Sequence, residues 1–145
     1  MRPARLRSFF GLGFIGDWPG AGTWASLVAI VPAWFLPQGP LLTLTVIFSL
    51  VGLLACRPVV DAFKAEDPQW FVWDEVCGMM LSVAWAMKTP ACYAAAFVLF
   101  RVLDIWKPWP IRWFEKNTGA VGIMTDDLAA GAVTAAIIYS LSAHA

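Results

Sequence analysis

Apolar residues run along this chain in long blocks, and the polar positions fall between them. From Trp18 to Cys56 there is no charged residue. LPQGPL at 36–41 interrupts that block, because proline and glycine punctuate helices. The pattern predicts two apolar helices, near 22–36 and 41–56. A polar segment from Arg57 to Gln69 follows, carrying Arg57, Asp61, Lys64, Glu66 and Asp67. A third helix is expected from about Asp74 to Met87, with a turn at KTP, 88–90. A fourth runs from about Ala91 to Trp106 and stops ahead of Pro108, where proline opposes continuation. KPWPIRWFEKNTGAVGIM reads as a connector rich in Trp, Pro and basic residues. A fifth helix is expected from about Asp126 to Ser142. No strand-like alternation or internal repeat stands out. The expected fold is all-α: one domain over residues 1–145, a compact bundle of about five main helices, several membrane-embedded or membrane-spanning.

Composition favours the membrane. Hydrophobic residues make up 60% of the chain and charged residues 14%, against roughly 45–50% and about 25% in an average soluble domain. Mean hydropathy is +0.69, and nine Trp residues suit interfacial anchoring. The alternative class is a soluble helical bundle with a large oligomer interface; a homo-oligomer stays open in either class. The clean apolar runs are shorter than the roughly 20 residues of a full crossing, although flanking Trp and snorkelling side chains extend such runs. MRPARLRSFFGLGF is basic and then apolar, without a proper apolar core or a small-residue cleavage site, so a cleaved signal peptide is not expected. Zero net charge leaves no case for nucleic-acid binding. Cys56, Cys77 and Cys92 are odd in number and sit in or beside apolar segments, so they read as small buried hydrophobes and not as a disulfide framework.

Charge gives an orientation. Arg2, Arg5 and Arg7 precede the first apolar helix, Arg57 and Lys64 follow the second, and Lys107, Arg112 and Lys116 follow the fourth. If the helices cross alternately, all fall on one side, the cytoplasmic one by the positive-inside bias. Lys88 alone lies opposite. The same segmentation brings Asp17, Asp67, Asp74, Glu75, Asp104, Asp126 and Asp127 to that one face.

Three short motifs hold the acids. In WDEVCG, Asp74, Gly78 and Ser82 stack at i, i+4, i+8, and Gly78 is expected to leave room for a ligand to approach Asp74. In FRVLDIWKPWP, Arg101 and Asp104 are neighbours at the end of a helix stripe. In GIMTDDLAAG, Thr125 is expected to cap a helix whose first turn holds Asp126 and Asp127. Each has a plainer account: Asp126 and Asp127 complementing the helix dipole, Arg101 and Asp104 as an i, i+3 ion pair, Asp74 and Glu75 as a solvated helix start. Together the plainer accounts weaken, because ionisable groups beside apolar membrane segments are costly and usually functional. Clustered carboxylates repel, and a divalent cation resolves the conflict. Oxygen-only ligation suits Mg²⁺, Mn²⁺ or Ca²⁺, not Zn²⁺, and the single His144 sits one residue from the end of the sequence. Arg101 and Lys107 then read as partners for an anion such as phosphate. Metal, carboxylates and basic residues together form a phosphoryl-transfer constellation. There is no C-x5-R thiol nucleophile, no DxDxT run and no GxxxxGK[ST] loop. Metal-activated water or an Asp nucleophile remains.

At these residues the chain resembles the phosphatidylglycerophosphatase A family, over about Gly11 to Tyr139. VWDEVCGM, FRVLDIWKPWPIRWFEKN and GAVGIMTDDLAAG follow its motifs almost letter for letter. AGTWASL at 21–27 keeps Gly22, Thr23 and Ser26 of its PGTxGSL segment but has Ala21 and Ala25 where the family shows Pro and Gly. The resemblance implies Mg²⁺-dependent hydrolysis of phosphatidylglycerophosphate to phosphatidylglycerol and phosphate, in phospholipid biosynthesis, on the cytoplasmic side of a bacterial inner membrane. It implies metal and catalytic roles for Asp74, Glu75, Asp104, Asp126 and Asp127. The resulting expectation is that Asp74, Glu75, Asp126 and Asp127 bind Mg²⁺, with Asp104 as ligand or general base. Catalysis falls to Asp74, Asp104 and Asp127, and phosphate binding to Arg101, Lys107, Thr23 and Ser26. Trp106, Trp109 and Trp113 are expected at headgroup level. The rival classes are a cation transporter, whose acids would spread through the membrane depth, and a non-catalytic membrane subunit with structural ion pairs.

Overall fold

A short helix, α4 (Trp73–Ser82), sits at the centre of the molecule. Eight of its ten residues are buried, Asp74 among them. Four longer helices pack against it: α2 (Ala21–Phe35), α3 (Gln38–Phe63), α5 (Pro90–Trp106) and α7 (Gly122–Ala143). Two short helices, α1 (Pro3–Phe10) and α6 (Ile111–Asn117), complete the all-helical architecture. The computed structural model describes residues 3–64, 68–117 and 119–143. Arg2, Glu66, Asp67, His144 and the side chain of Lys116 lie outside the described residues.

Local chemistry explains several of the boundaries. The Thr89 side chain accepts the Cys92 N–H at 3.3 Å and Pro90 opens α5, a pre-organised start for a helix. Lys107 takes a left-handed conformation, φ 45°, and ends it. Pro37 precedes α3, so Gln38, Gly39 and Pro40 belong to its first turn and the break between α2 and α3 narrows to two residues.

Several expected boundaries shift. α3 continues through Pro58 to Phe63, so half of the expected polar segment is helical. Charge there marks where the helix leaves apolar surroundings, not where it ends. α4 stops at Ser82, short of Met87; the Ser82 hydroxyl donates to the Gly78 carbonyl at 2.8 Å, a local bond that competes with helix continuation. α7 starts at Gly122, so Thr125 is not its cap. Its hydroxyl bonds the Val121 and Gly122 carbonyls from inside the helix, and Asp126 and Asp127 lie beyond the first turn. The basic N-terminal run forms α1, which buries Leu6 and Phe10 one turn apart, and part of the Trp-rich connector forms α6.

Gly78 does not hold open an approach to Asp74. A Cβ there would meet the Phe100 ring at 2.6 Å and the Asp127 carbonyl at 2.8 Å. The missing side chain lets α4, α5 and α7 close on one another, and Gly131 faces Gly78 from α7 in the same crossing.

The bundle has two distinct ends. At one, the Lys88 ammonium donates to the Trp34 and Leu36 carbonyls at 2.8 and 2.7 Å, and the Tyr93 hydroxyl to the Ala33 carbonyl at 3.0 Å. The turn after α4 therefore meets the end of α2 and the start of α5. The starts of α2, α4 and α7 and the end of α5 gather at the other. Among the described residues, α3 and α7 are long and apolar enough to cross a membrane. At 26 residues, α3 extends about 39 Å, more than the roughly 30 Å hydrocarbon thickness. On its outward face Val46, Ile47, Leu50 and Leu54 form an exposed apolar stripe.

Candidate active site

A cavity of about 640 Å³ opens at the end where α2, α4 and α7 begin. Its walls come from separate stretches: Gly16 to Gly22 ahead of and within the start of α2, Asp74 and Glu75 of α4, Asp104 and Lys107 at the end of α5, and Asp126 and Asp127 of α7. All five expected carboxylates line it.

Three of them converge. One carboxylate oxygen each from Asp74, Glu75 and Asp127 lies within 4.8 Å of the others. Asp74, Asp126 and Asp127 are 7, 4 and 4% exposed, which removes the readings of a solvated helix start and of a surface complement to the helix dipole. The Asp74 Oδ1 accepts the Glu75 N–H at 3.0 Å, and the Asp126 Oδ1 accepts the Asp127 N–H at 2.9 Å. These bonds fix each carboxylate against its own helix. Glu75 Oε2 and Asp127 Oδ2 are buried with no hydrogen-bond partner among the described residues. Burial, then the charges of Glu75 and Asp127, push the Asp74 carboxyl well above the usual carboxylate range. Burial raises Glu75 too, opposed by the Arg101 charge. Unpartnered, buried, mutually repelling oxygens are what a hard divalent cation satisfies, so the donor set fits one.

The basic residues are already engaged with acids. The Lys107 ammonium reaches Asp126 Oδ2 at 2.6 Å, and both line the cavity. The Arg101 guanidinium holds Asp104 Oδ2 at 2.7 Å across one helical turn. That i, i+3 ion pair is therefore real, but it joins the site because Asp104 lines the cavity. Arg101 itself stands behind the wall, beside Gly22.

Two expected phosphate ligands lie elsewhere. Ser26 is fully buried and its hydroxyl donates to the Gly22 carbonyl at 2.8 Å. Thr23 is half-buried and is not among the cavity-lining residues. The part of this segment that faces the cavity is its glycine backbone, Gly20 to Gly22. Gly20 is left-handed, φ 68°. A Cβ on Gly22 would collide with the Glu75 carboxylate and come within 3.2 Å of the Arg101 guanidinium. Asp17, paired with Arg7, and Gln69 also line the cavity without having been singled out. Asp17's place among the acids of one face was its only signal in the sequence.

The sequence model of the family described as "Phosphatidylglycerophosphatase A" matches residues 5–142. The chain belongs to that family. A phosphatidylglycerophosphatase A of Escherichia coli (strain K12) is 41% identical over 133 residues, covering 85% of this chain and 74% of the relative. One from Haemophilus influenzae is 32% identical, covering 91% and 83%. A Bacteroides thetaiotaomicron protein, named provisionally as a phosphatidylinositol-3-phosphatase, is 36% identical, covering 89% and 86%. No solved structure matches. Family membership makes the chain a phosphatase of lipid metabolism.

Proposed function

We propose that the chain hydrolyses phosphatidylglycerophosphate to phosphatidylglycerol and inorganic phosphate with Mg²⁺ at the bacterial inner membrane, its cavity facing the cytoplasm. The observation that carries this reading is the convergence of Asp74, Glu75 and Asp127 within 4.8 Å, in a cavity that Lys107 also lines. The relatives named phosphatidylglycerophosphatase A support this choice of substrate.

Asp74, Glu75 and Asp127 would hold the cation, with Asp126 and Asp104 beside them in the same wall. Mg²⁺ there would supply Lewis-acid stabilisation of the charge on the phosphoryl oxygens. The protein's own groups do the rest. Lys107 presents a positive charge to the phosphate from the α5 terminus. The first turn of α2, Ala21 and Gly22, presents the positive end of a helix to the cavity, a setting that favours phosphate oxygens. In hydrolysis, water adds its oxygen to phosphorus, the bond from phosphorus to the glycerol oxygen breaks, and that oxygen takes up a proton. Asp104, held by Arg101, would accept the proton that water loses and pass it to the departing glycerol oxygen. Ser26 acts at one remove, by tying down the Gly22 carbonyl. The exposed Trp106, Trp109 and Trp113 suit the headgroup region, where aromatic rings anchor, and the scissile phosphate of such a lipid lies at that depth.

The test is phosphate release from phosphatidylglycerophosphate by protein purified in detergent. Release is expected with Mg²⁺ and expected to vanish with EDTA. Asp127→Asn is expected to lower turnover by at least about 100-fold, beyond the cost of disturbing a mere ligand support. Release untouched by chelation would end the metal assignment, and wild-type turnover in a folded Asp127→Asn protein would remove that residue.

A further inference from the structure

A second feature lies on the outside of α5. A shallow trough of about 490 Å³ runs along it, lined by Phe97, Val98, Arg101, Val102, Ile105 and Trp106. Five of the six are apolar. Val98, Val102, Ile105 and Trp106 are exposed, so no other part of the described chain covers this stripe.

We infer that this trough seats an acyl chain of the phospholipid whose phosphate is hydrolysed in the cavity. The inference rests on the proposed lipid substrate and adds where its hydrophobic part lies. Size is the first argument. A cavity of about 640 Å³ is an ordinary small-molecule volume, and its walls are dominated by acids, glycines and Lys107. The acyl chains of a bilayer lipid reach about half of the roughly 30 Å hydrocarbon thickness, so they leave the cavity sideways. Continuity is the second. The helix that forms the trough also supplies Asp104 and Lys107 to the cavity wall. Trp106 stands at that level, and the trough descends from it to Phe97. The nine-residue step is about 14 Å, close to the depth of one leaflet. The third argument is the single polar group. Arg101 lines the trough, yet its guanidinium is drawn toward the cavity by Asp104 at 2.7 Å. The stem stays in the apolar stripe and the charge stays at its upper end, the gradient a phospholipid itself presents. α3 also has an exposed apolar face, but none of its residues lines the cavity; α2 has one and reaches the cavity through Ala21 and Gly22, but the trough and its Arg101 belong to α5.

The test compares dioleoyl with dihexanoyl phosphatidylglycerophosphate in detergent micelles with Mg²⁺. The variants are Val98→Trp and Val102→Trp, which fill the trough, and Leu50→Trp on the exposed face of α3. The trough variants are expected to lose about tenfold in kcat/KM on the dioleoyl lipid, as when roughly two methylene groups lose their seat. They are expected to keep wild-type kcat/KM on the dihexanoyl lipid, which also reports that they fold. Leu50→Trp is expected to match wild type on both. If wild type hydrolyses both lipids and the trough variants fall equally on the two, or on neither, the trough is overturned alone. If wild type hydrolyses neither, the substrate reading falls and the trough with it.

Discussion

A single missing methyl group shapes the acidic site. Gly22 sits where a Cβ would strike the Glu75 carboxylate and crowd Arg101. Its α2 backbone therefore lies directly against a candidate metal ligand. Gly22→Ala is expected to push Glu75 off its place and raise the Mg²⁺ concentration for half-maximal activity by about 10–100-fold, the usual cost of disturbing a ligand's support. A metal titration of phosphate release checks it, and an unchanged titration would mean that Glu75 is not a ligand or that its side chain moves freely. At this scale the sequence was informative about acids and poor about hydroxyls. Asp74, Glu75, Asp104, Asp126 and Asp127 all reach one cavity, because charge in so apolar a chain has few places to go. Ser26 and Thr23 carried no such constraint. A serine hydroxyl satisfies itself on the carbonyl one turn back, as Ser26 does on Gly22, so its presence in a motif says little about which way it faces.

The helices carry the carboxylates as rigid mounts, and their crossings set the spacing. α4 and α7 approach at Gly78 and Gly131, and the Gly78 contact on α7 is the Asp127 carbonyl itself. The distance between Asp74 and Asp127 is thus fixed one turn from the clustered carboxylate oxygens by the absence of side chains. Gly78→Ala inserts a methyl group at 2.6–2.8 Å from Phe100 and Asp127. It is expected to destabilise the protein by about 1–3 kcal/mol, the cost of overpacking, measured as the midpoint of thermal unfolding in detergent. Thr89→Ala at the start of α5 makes a useful contrast. It removes a cap worth about 1 kcal/mol at the opposite end from the cavity, so a lower midpoint with unchanged kcat is expected. Element positions were legible wherever proline and an apolar run agreed, as at Pro90. They were not legible where two rules conflicted. Arg57 and the charges after it marked the expected end of the second apolar helix, but α3 continues to Phe63, because a charged turn is stable once it has left apolar surroundings. The Gly78 gap was misassigned for a related reason: a glycine opposite an acid looks the same in sequence whether a ligand or another helix fills the space.

At the scale of the whole molecule, the segregation of charge argues for one orientation. Arg5, Arg7, Lys64, Lys107 and Arg112 belong to the segments at the cavity end, whereas Lys88 caps α2 at the far end. Between the two ends lie the exposed apolar faces of α2, α3 and α5. A transporter would need acids distributed along that middle, and the candidate ligands instead gather at one end, in a cavity that opens there. The positive-inside bias is the ground for the proposal that the cavity faces the cytoplasm. Cysteine labelling tests the arrangement directly. In a Cys92→Ser background, Cys56 and Cys77 are fully buried and are expected to stay silent. Arg112→Cys, at the cavity end, is expected to react with an impermeant maleimide only in inside-out vesicles. Met87→Cys, in the turn after α4, is expected to react only in intact spheroplasts. Labelling of both from the same side would show that the two ends do not face opposite compartments, and the reverse pattern would turn the cavity outward, away from the cytoplasm. The outcome bears on catalysis as well as topology, since it fixes which leaflet's phosphates the cavity meets at the depth where Trp106 and Trp109 are exposed.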